Sequence, residues 1–412
     1  MTFVKDTQYY KFCSYGLLKN LRFYEPFLIL FFLSLDLSYF QIGILYGIRE
    51  VIRNILEIPS GVISDTLGRR KTMMFSFATY AFSFILFFYS ASFSYLAISM
   101  SVFAIGDAFR TGTHKAMIFA YLERHNWRKH RSDYYGRTRA CSQLGSAISA
   151  LLAAALLLFT SELRYVFLFS AIPALADFFL IRSYPRWLDG NTTPLNRRLI
   201  RRKFALHFQK MTIAITRKET LKAVLNLSLF SGFYRALKDF VQPLIKQVAL
   251  GLPFLLMLSD KNRTTILTGI VYFVFFLLSS RASRYSQILI KLFGSSARAM
   301  NTSLILGGII FALGGFFTTE GNFTVGIIAF LLIFLMENMR NPIGTAYVSN
   351  HFSDAILSSA LSANSQFKSL MAAIIAPLFG YMADTFNLGW ALFGGGVLLF
   401  PLWLLTRVKE QK

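Results

Sequence analysis

Apolar residues fall along this chain in long uninterrupted runs separated by short polar segments. The runs cover about 14–35, 40–63, 72–91, 94–122, 136–158 and 164–184, and, after a polar stretch, about 221–248, 262–281, 298–318, 323–346, 358–381 and 388–406. Because a helix rises about 1.5 Å per residue, roughly 20 apolar residues cross the hydrocarbon core of a bilayer, so each run has spanning length. The pattern predicts an all-α polytopic membrane protein with about 12 transmembrane helices. It also predicts an order: a six-helix bundle over 1–190, a polar linker over 191–220, and a second six-helix bundle over 221–412.

Composition strengthens the membrane reading and removes two other classes. Of 412 residues, 55% are hydrophobic and 44 are Phe, and the mean hydropathy is +0.50; so much apolar surface needs lipid as its solvent. The net charge of +23 would suit nucleic acid if the basic residues shared one folded surface, but they lie between the apolar runs, where the positive-inside rule accounts for them. No nucleic-acid partner is expected. With both termini cytosolic, the outer loops carry only about four basic residues, Arg164, Lys246, Lys261 and Arg263. The segment from Asn196 to Lys222, with Arg197, Arg198, Arg201, Arg202 and Lys203, then reads as a cytosolic linker lying on anionic lipid. Cys13 and Cys141 are too few and too far apart for a disulfide framework or a metal site. Lys5 and Lys11 precede Leu17 and Phe27 without a small-residue cleavage site, so the first span is expected to stay as the insertion signal. No Walker loop or catalytic domain stands out, and neither an enzyme nor a cofactor is expected.

An internal repeat divides the runs into two sets of six. Asp107, Arg110 and Ala116 in the fourth run have the spacing of Glu337, Arg340 and Ala346 in the tenth, and Ala140, Ser142, Gln143, Ser146 and Ala150 in the fifth recur in register as Ala363, Ser365, Gln366, Ser369 and Ala373 in the eleventh. Two parallel halves would superimpose those pairs, which implies pseudo-symmetry between the bundles.

Between the second and third runs lies Gly61 to Lys71, GVISDTLGRRK. Gly61 is expected to let a neighbouring helix approach, Asp65 to mark a helix end, Gly68 to permit the turn, and Arg69 and Arg70 to hold it in the cytosol. The spacing G-x-x-x-D-x-x-G-R-R-K resembles the loop between helices 2 and 3 of the major facilitator superfamily. That resemblance implies alternating-access transport, with Asp65 braced against a helix of the opposite half and Asp65 and Arg69 helping to gate the carrier. The corresponding stretch in the second half, Ser280 to Arg298, keeps Arg281, Arg284 and Gly294 but has no aspartate, so the brace is expected on one side only. Two features of the drug-proton antiporters of that superfamily are absent. Gly145 is followed by Ser146, Ala147, Ile148, Ser149 and Ala150 without proline, and Arg110 by Thr111, Gly112, Thr113, His114 and Lys115.

Charges near mid-span are the candidate functional residues, because each costs roughly 2.5–3.5 kcal/mol to insert unless it pairs or faces water. They are Arg49, Glu50, Arg53 and Glu57 in the second run, Asp107, Arg110, His114 and Lys115 in the fourth, Asp177 in the sixth, Arg235, Lys238 and Asp239 in the seventh, Glu337 and Arg340 in the tenth, and Lys368 in the eleventh. Helical spacing offers in-helix pairs: Arg53 with Glu57, Arg235 with Asp239, Asp107 with Arg110, and Glu337 with Arg340. Arg49, Lys115, Lys238 and Lys368, with His114, remain without an evident local partner, offset by Glu50 and Asp177. For the paired charges a structural role competes with a substrate role. His114 reads either as a pH-responsive group or as a satisfied interface histidine.

The cationic surplus predicts a monomeric, proton-coupled carrier of a small organic or phosphorylated anion, with Arg49, Arg110, Arg235 and Lys368 converging on one watery cavity and Asp107, Glu50 or Glu337 taking the proton. Proton-coupled efflux of a hydrophobic or cationic compound is the alternative. A transport-dead sensor or scaffold is the third reading.

Overall fold

A computed structural model of the protein describes residues 4–190, 218–253, 257–282, 285–351 and 354–410, with isolated positions 192, 205, 209, 212 and 216. The predicted linker therefore lies outside the described residues except at those isolated positions and at its end, from Lys218 onward, and Arg284 also falls outside them.

All regular structure among the described residues is helical. Helix α1 (Thr7–Leu18) opens on Asp6, whose carboxylate accepts from the Tyr9 N–H at 2.8 Å, one of the donors that a helix start leaves unpaired. The chain then breaks, makes one 3-10 turn (Glu25–Phe27) and resumes as α2 (Leu28–Leu33). There follow α3 (Tyr39–Leu67), α4 (Arg69–Tyr89), α5 (Phe93–Arg110), α6 (Thr113–Arg124), α7 (Arg131–Thr160) and α8 (Tyr165–Arg182). The second half holds α9 (Lys218–Leu237), a 3-10 turn (Lys238–Phe240), α10 (Val241–Gly251), α11 (Asp260–Ala282), α12 (Ser286–Phe293), α13 (Ser296–Thr319), α14 (Phe323–His351), α15 (Asp354–Thr385) and α16 (Leu388–Thr406).

Eight of these helices are long and apolar enough to cross a bilayer: α4, α7, α8, α11, α13, α14, α15 and α16. The other four predicted spans, the first, second, fourth and seventh, are interrupted or charged. The runs expected to be continuous at 14–35, 94–122 and 221–248 are each two helices. After the breaks in the first and seventh spans the helix restarts with Pro26 and Pro243 respectively in its first turn, where the missing N–H is no loss. The fourth breaks at Gly112, whose φ is +80°. Asn20 caps the first break by donating to the carbonyls of Gly16 (3.2 Å) and Ser142 (2.7 Å). The first and seventh spans are equivalent positions of the repeat, and breaks inside apolar spans are where membrane carriers expose polar backbone.

The first compact unit comprises Met1–Phe27, Ile52–Phe204 and Tyr272–Leu277. In it α4 packs on α5 and α8, and α1 on α7. Gly145 lets α1 approach α7 closely: a Cβ there would lie 2.6 Å from the Leu17 carbonyl oxygen of α1. Phe167 stacks on Phe87 and Tyr24 in the interior.

The second unit comprises Leu28–Val51, Ala205–Val271 and Leu278–Lys412. Here α13 packs on α14 and α16, and α9 on α15. Two side chains cap helix starts within this unit. Gln242 Oε1 accepts from the N–H groups of Ile29 (2.8 Å) and Leu30 (3.3 Å), and the Asp384 carboxylate accepts from those of Tyr39 (2.9 Å) and Phe40 (2.8 Å).

The Gly61–Lys71 segment is tighter than its pattern suggested. A single residue, Gly68, separates α3 from α4, and its φ of +102° lies where only glycine sits without strain. Asp65 is exposed, two residues short of the end of α3. The expectation for Gly61 is corrected: among the described residues nothing lies within 4 Å of where its Cβ would be, so none of their helices approaches it. The turn is instead held by a residue that the sequence reading did not single out. Asp189 accepts from the Arg70 N–H at 2.9 Å and pairs with Arg70 Nε at 3.5 Å, and Arg70 Nη1 donates to the Tyr184 carbonyl at 3.0 Å. Arg69 Nη1 reaches the Ala116 carbonyl at 3.5 Å.

Candidate functional site

In the first unit the polar interior is built around Asp107, on α5. Arg110, one turn along the same helix, donates Nη2 to Asp107 Oδ1 at 2.8 Å, so the predicted in-helix pair is formed. Arg53, on α3, pairs with Asp107 Oδ2 at 2.8 Å. Tyr80, on α4, donates its hydroxyl to Asp107 Oδ1 at 2.8 Å and accepts from Arg110 Nε at 3.0 Å. One carboxylate thus serves two guanidinium groups, and the cluster keeps a positive excess.

Beside it lies a small cavity of about 30 Å³, room for a water or two. Lys19, Arg22, Tyr24, Tyr80, Arg110 and Ser170 line it together with apolar side chains, and no carboxylate is among the lining residues. Lys19 and Arg22 come from the break after α1, which carries them inward as ordinary helix surface would not. Lys19 lies 5.6 Å from the Tyr15 ring centroid, and Arg22 stands 3.7 Å from Glu25. Neither was a predicted site residue. The signal was the polar interruption KNLRFYEP inside the first apolar run. Asp177, on α8, is fully buried in the same unit, and neither carboxylate oxygen has a hydrogen-bond partner among the described residues.

His114 is packed among aromatic side chains. It stacks on Tyr15 at 3.5 Å between ring centroids, meets Phe12 edge-on, and has Nε2 3.3 Å from the Tyr184 hydroxyl. Lys115, past the break at Gly112, is exposed, with Phe119 and Tyr135 each 5.4 Å below its ammonium group.

The second unit holds a linear network. Arg49 donates from Nε (3.3 Å) and Nη2 (3.1 Å) to Glu50 Oε1 and lies over the Tyr46 ring. Arg235 Nη1 donates to Glu50 Oε2 at 2.9 Å and to Ser369 Oγ at 3.2 Å. Tyr46 donates its hydroxyl to Asp239 Oδ2 at 2.8 Å, and Lys238 Nζ lies 3.2 Å from Asp239 Oδ1. Arg49 and Lys238 were expected to lack local partners, and both have one. The reason is that neighbours in sequence, Glu50 and Asp239, turn toward them, Asp239 where the chain leaves regular α-helix. Lys368 likewise acts electrostatically on Glu337.

The tenth span departs from its repeat partner. Glu337 Oε1 accepts from Ser231 Oγ (2.7 Å) and Asn341 Nδ2 (2.7 Å). Arg340, fully buried, donates to the Asn226 carbonyl (2.8 Å), to the Asn226 side chain and to Ser303 Oγ (3.3 Å), with Phe230 under its guanidinium. The predicted Glu337–Arg340 pair is not formed among the described residues. Polar partners on α9 and α13 compete for both groups. Of the four cations expected to converge, Arg49 and Arg235 meet at Glu50 in the second unit, Lys368 lies in that unit, and Arg110 belongs to the first.

Apolar helices of spanning length, equivalent breaks in the first and seventh spans, and partly compensated charges buried inside helical units define a polytopic membrane carrier. The chain belongs to the Major Facilitator Superfamily, whose family model matches residues 20–297. It is thus a transporter and not an enzyme. It is 23% identical to the uncharacterized MFS-type transporter YxaM of Bacillus subtilis (strain 168) over 97% of this chain and 96% of that one. Among solved structures, the nucleoside transporter NupG shares the fold with a TM-score of 0.71 at 12% identity, covering 97% of each chain. A D-xylose-proton symporter does so with a TM-score of 0.70 at 15% identity, covering 98% of each.

Proposed function

We propose that this protein is a proton-coupled secondary transporter of a small organic or phosphorylated anion, working by alternating access. The observation that supports the reading is the charged lining of the first unit's cavity, which is basic throughout, from Lys19, Arg22 and Arg110. At about 30 Å³ the cavity holds only water in this conformation, and cargo enters it when the surrounding helices separate in the transport cycle. Arg110 and Arg53 share Asp107, and Arg22 meets Glu25, so the cluster keeps a basic excess that favours an anion as cargo. Proton coupling rests on Asp107 and Glu50, each of which holds two arginines. A proton on either carboxylate releases guanidinium groups to bind cargo. The likeness to a D-xylose-proton symporter is compatible with this coupling. The reading places six-helix halves at 1–190 and 221–412, joined by the basic segment 191–220, in the cell membrane as a monomer with both termini cytosolic. Asp65 and Arg69 gate the cycle in this scheme.

The alternative, export of a hydrophobic or cationic compound, draws on Asp177, whose two buried oxygens have no hydrogen-bond partner among the described residues. Thermal-shift screening of purified protein against anion and cation libraries separates the two, because a ligand of the folded state raises the melting temperature. Anions should stabilise the wild type and lose that effect in Lys19→Gln and Arg22→Gln. Stabilisation by cations alone, lost in Asp177→Asn, would replace the anion reading with the export reading.

A further inference from the structure

Away from the mid-span charges, the second unit carries a basic cleft at one membrane boundary. The last transmembrane helix, α16, ends at Thr406, and the chain turns back across the start of α13 as a short strap, 407–410. The strap is pinned by its backbone. Asn301 Nδ2 donates to the Val408 carbonyl at 2.8 Å and Asn301 Oδ1 accepts from the Val408 N–H at 3.0 Å. The Tyr347 hydroxyl donates to the Lys409 carbonyl at 2.9 Å, and the Val408 side chain is buried in the apolar core of the unit. With the main chain so held, the strap's side chains face a cleft of about 590 Å³ against α9 and α13.

Five cations from three elements edge this cleft and its continuation: Lys218, Lys222, Arg298, Arg407 and Lys409. Two carboxylates share the lining, Glu219 and Glu410, the latter engaged by Arg298 at 3.3 Å, so the cations outnumber the acidic groups by five to two. Lys218, Lys222 and Lys409 have no hydrogen bond or ion pair among the described residues. Like charges gathered round one concavity repel each other unless an anion occupies it. The same cleft has an apolar lip. Leu404 lines it and is 66% exposed, on a helix of spanning length. Close by, α12 buries Leu289, Ile290 and Phe293 against the core that holds Val408 and leaves Ile288 and Leu292 exposed, the two-faced pattern of a helix lying in the bilayer interface. A cationic cleft lined by an exposed leucine of a spanning helix, next to a two-faced helix, suits a phospholipid, headgroup against the cations and acyl chain along the leucine.

We propose that this cleft binds the phosphodiester headgroup of an anionic phospholipid, with Lys222, Arg407 and Lys409 as its main ligands. The site is independent of the transported substrate. It joins the start of α9, the start of α13 and the C-terminal strap through one bound lipid.

The test uses the full-length protein in nanodiscs of phosphatidylcholine with and without phosphatidylglycerol, followed by native mass spectrometry of retained lipid. Wild type should retain phosphatidylglycerol on release into detergent and melt at a higher temperature in discs that contain it. The triple variant Lys222→Gln, Arg407→Gln, Lys409→Gln should retain it about tenfold less or worse, since each basic group near the surface contributes a severalfold preference for anionic lipid. Its melting temperature in pure phosphatidylcholine should match that of the wild type. Lys409→Gln alone, whose backbone contacts are untouched, should show a smaller loss in the same direction and covers the case of a triple variant that does not fold. The control Lys71→Gln should retain lipid as the wild type does. Equal retention by wild type and the Lys409 and triple variants would overturn the site. Equal stabilisation by glycerol 3-phosphate in pure phosphatidylcholine would assign the cleft to a soluble phosphate and overturn the lipid.

Discussion

Arg235 donates to Glu50 at 2.9 Å across 185 residues of sequence, and the Glu50 side chain that receives it is 2% exposed. Glu50 also accepts from its neighbour Arg49, so one buried carboxylate balances two guanidinium groups. Removing it takes a shared carboxylate from both. Glu50→Gln should destabilise the protein by about 3 kcal/mol, read as a lower unfolding midpoint in mild detergent. Adding Arg235→Met should recover part of the loss. Stability equal to wild type in Glu50→Gln would refute the balance.

The two repeat-related pairs should behave differently. Asp107 and Arg110 touch, whereas Glu337 and Arg340 bond to other groups. Double-mutant cycles should therefore give a coupling energy for Asp107–Arg110 that exceeds the Glu337–Arg340 value by about 1 kcal/mol or more. Equal couplings would mean that the pairs act alike despite the geometry.

Gly68 should tolerate no side chain. Its φ is +102°, and an added Cβ would lie 2.8 Å from Asp189 Oδ1, so Gly68→Ala should cost about 1–3 kcal/mol. Asp189→Ala should cost about 1–2 kcal/mol by removing the cap on the Arg70 N–H. Thermal unfolding of both variants in detergent is the check, and unchanged midpoints would count against the turn as described.

Asp65→Asn should cut transport while leaving membrane abundance near wild type, because Asp65 is exposed and the basic residues that follow it remain. Radiolabelled flux in proteoliposomes, once a substrate is in hand, reads this directly. Undiminished flux would remove the gating role.

Orientation is tested by labelling. In a background with Cys13 and Cys141 replaced by Ser, Arg198→Cys and Lys129→Cys should react with an impermeant maleimide only after the cytosolic side is exposed. Reaction in intact cells would invert the topology.

The amino-acid sequence determined that the protein is a helical membrane carrier built on a repeat. Apolar run length against bilayer thickness, basic residues between runs, and the recurrence of Asp107 and Arg110 as Glu337 and Arg340 are one-dimensional signals that need no neighbours in space. It also determined which residues bear the mid-span charges. Their partners were decided by tertiary structure. Helical spacing correctly paired Asp107 with Arg110 but could not foresee Arg53 on that carboxylate, Arg235 on Glu50, or Asn226 under Arg340, because a buried charge takes the nearest partner that packing supplies, whichever helix it comes from. Lys19 and Arg22 entered the interior for a similar reason. The break ahead of Pro26 took them out of the regular helical pattern that sequence periodicity assumes, and only the packing of α1, α4, α5 and α8 made a cavity for them to line.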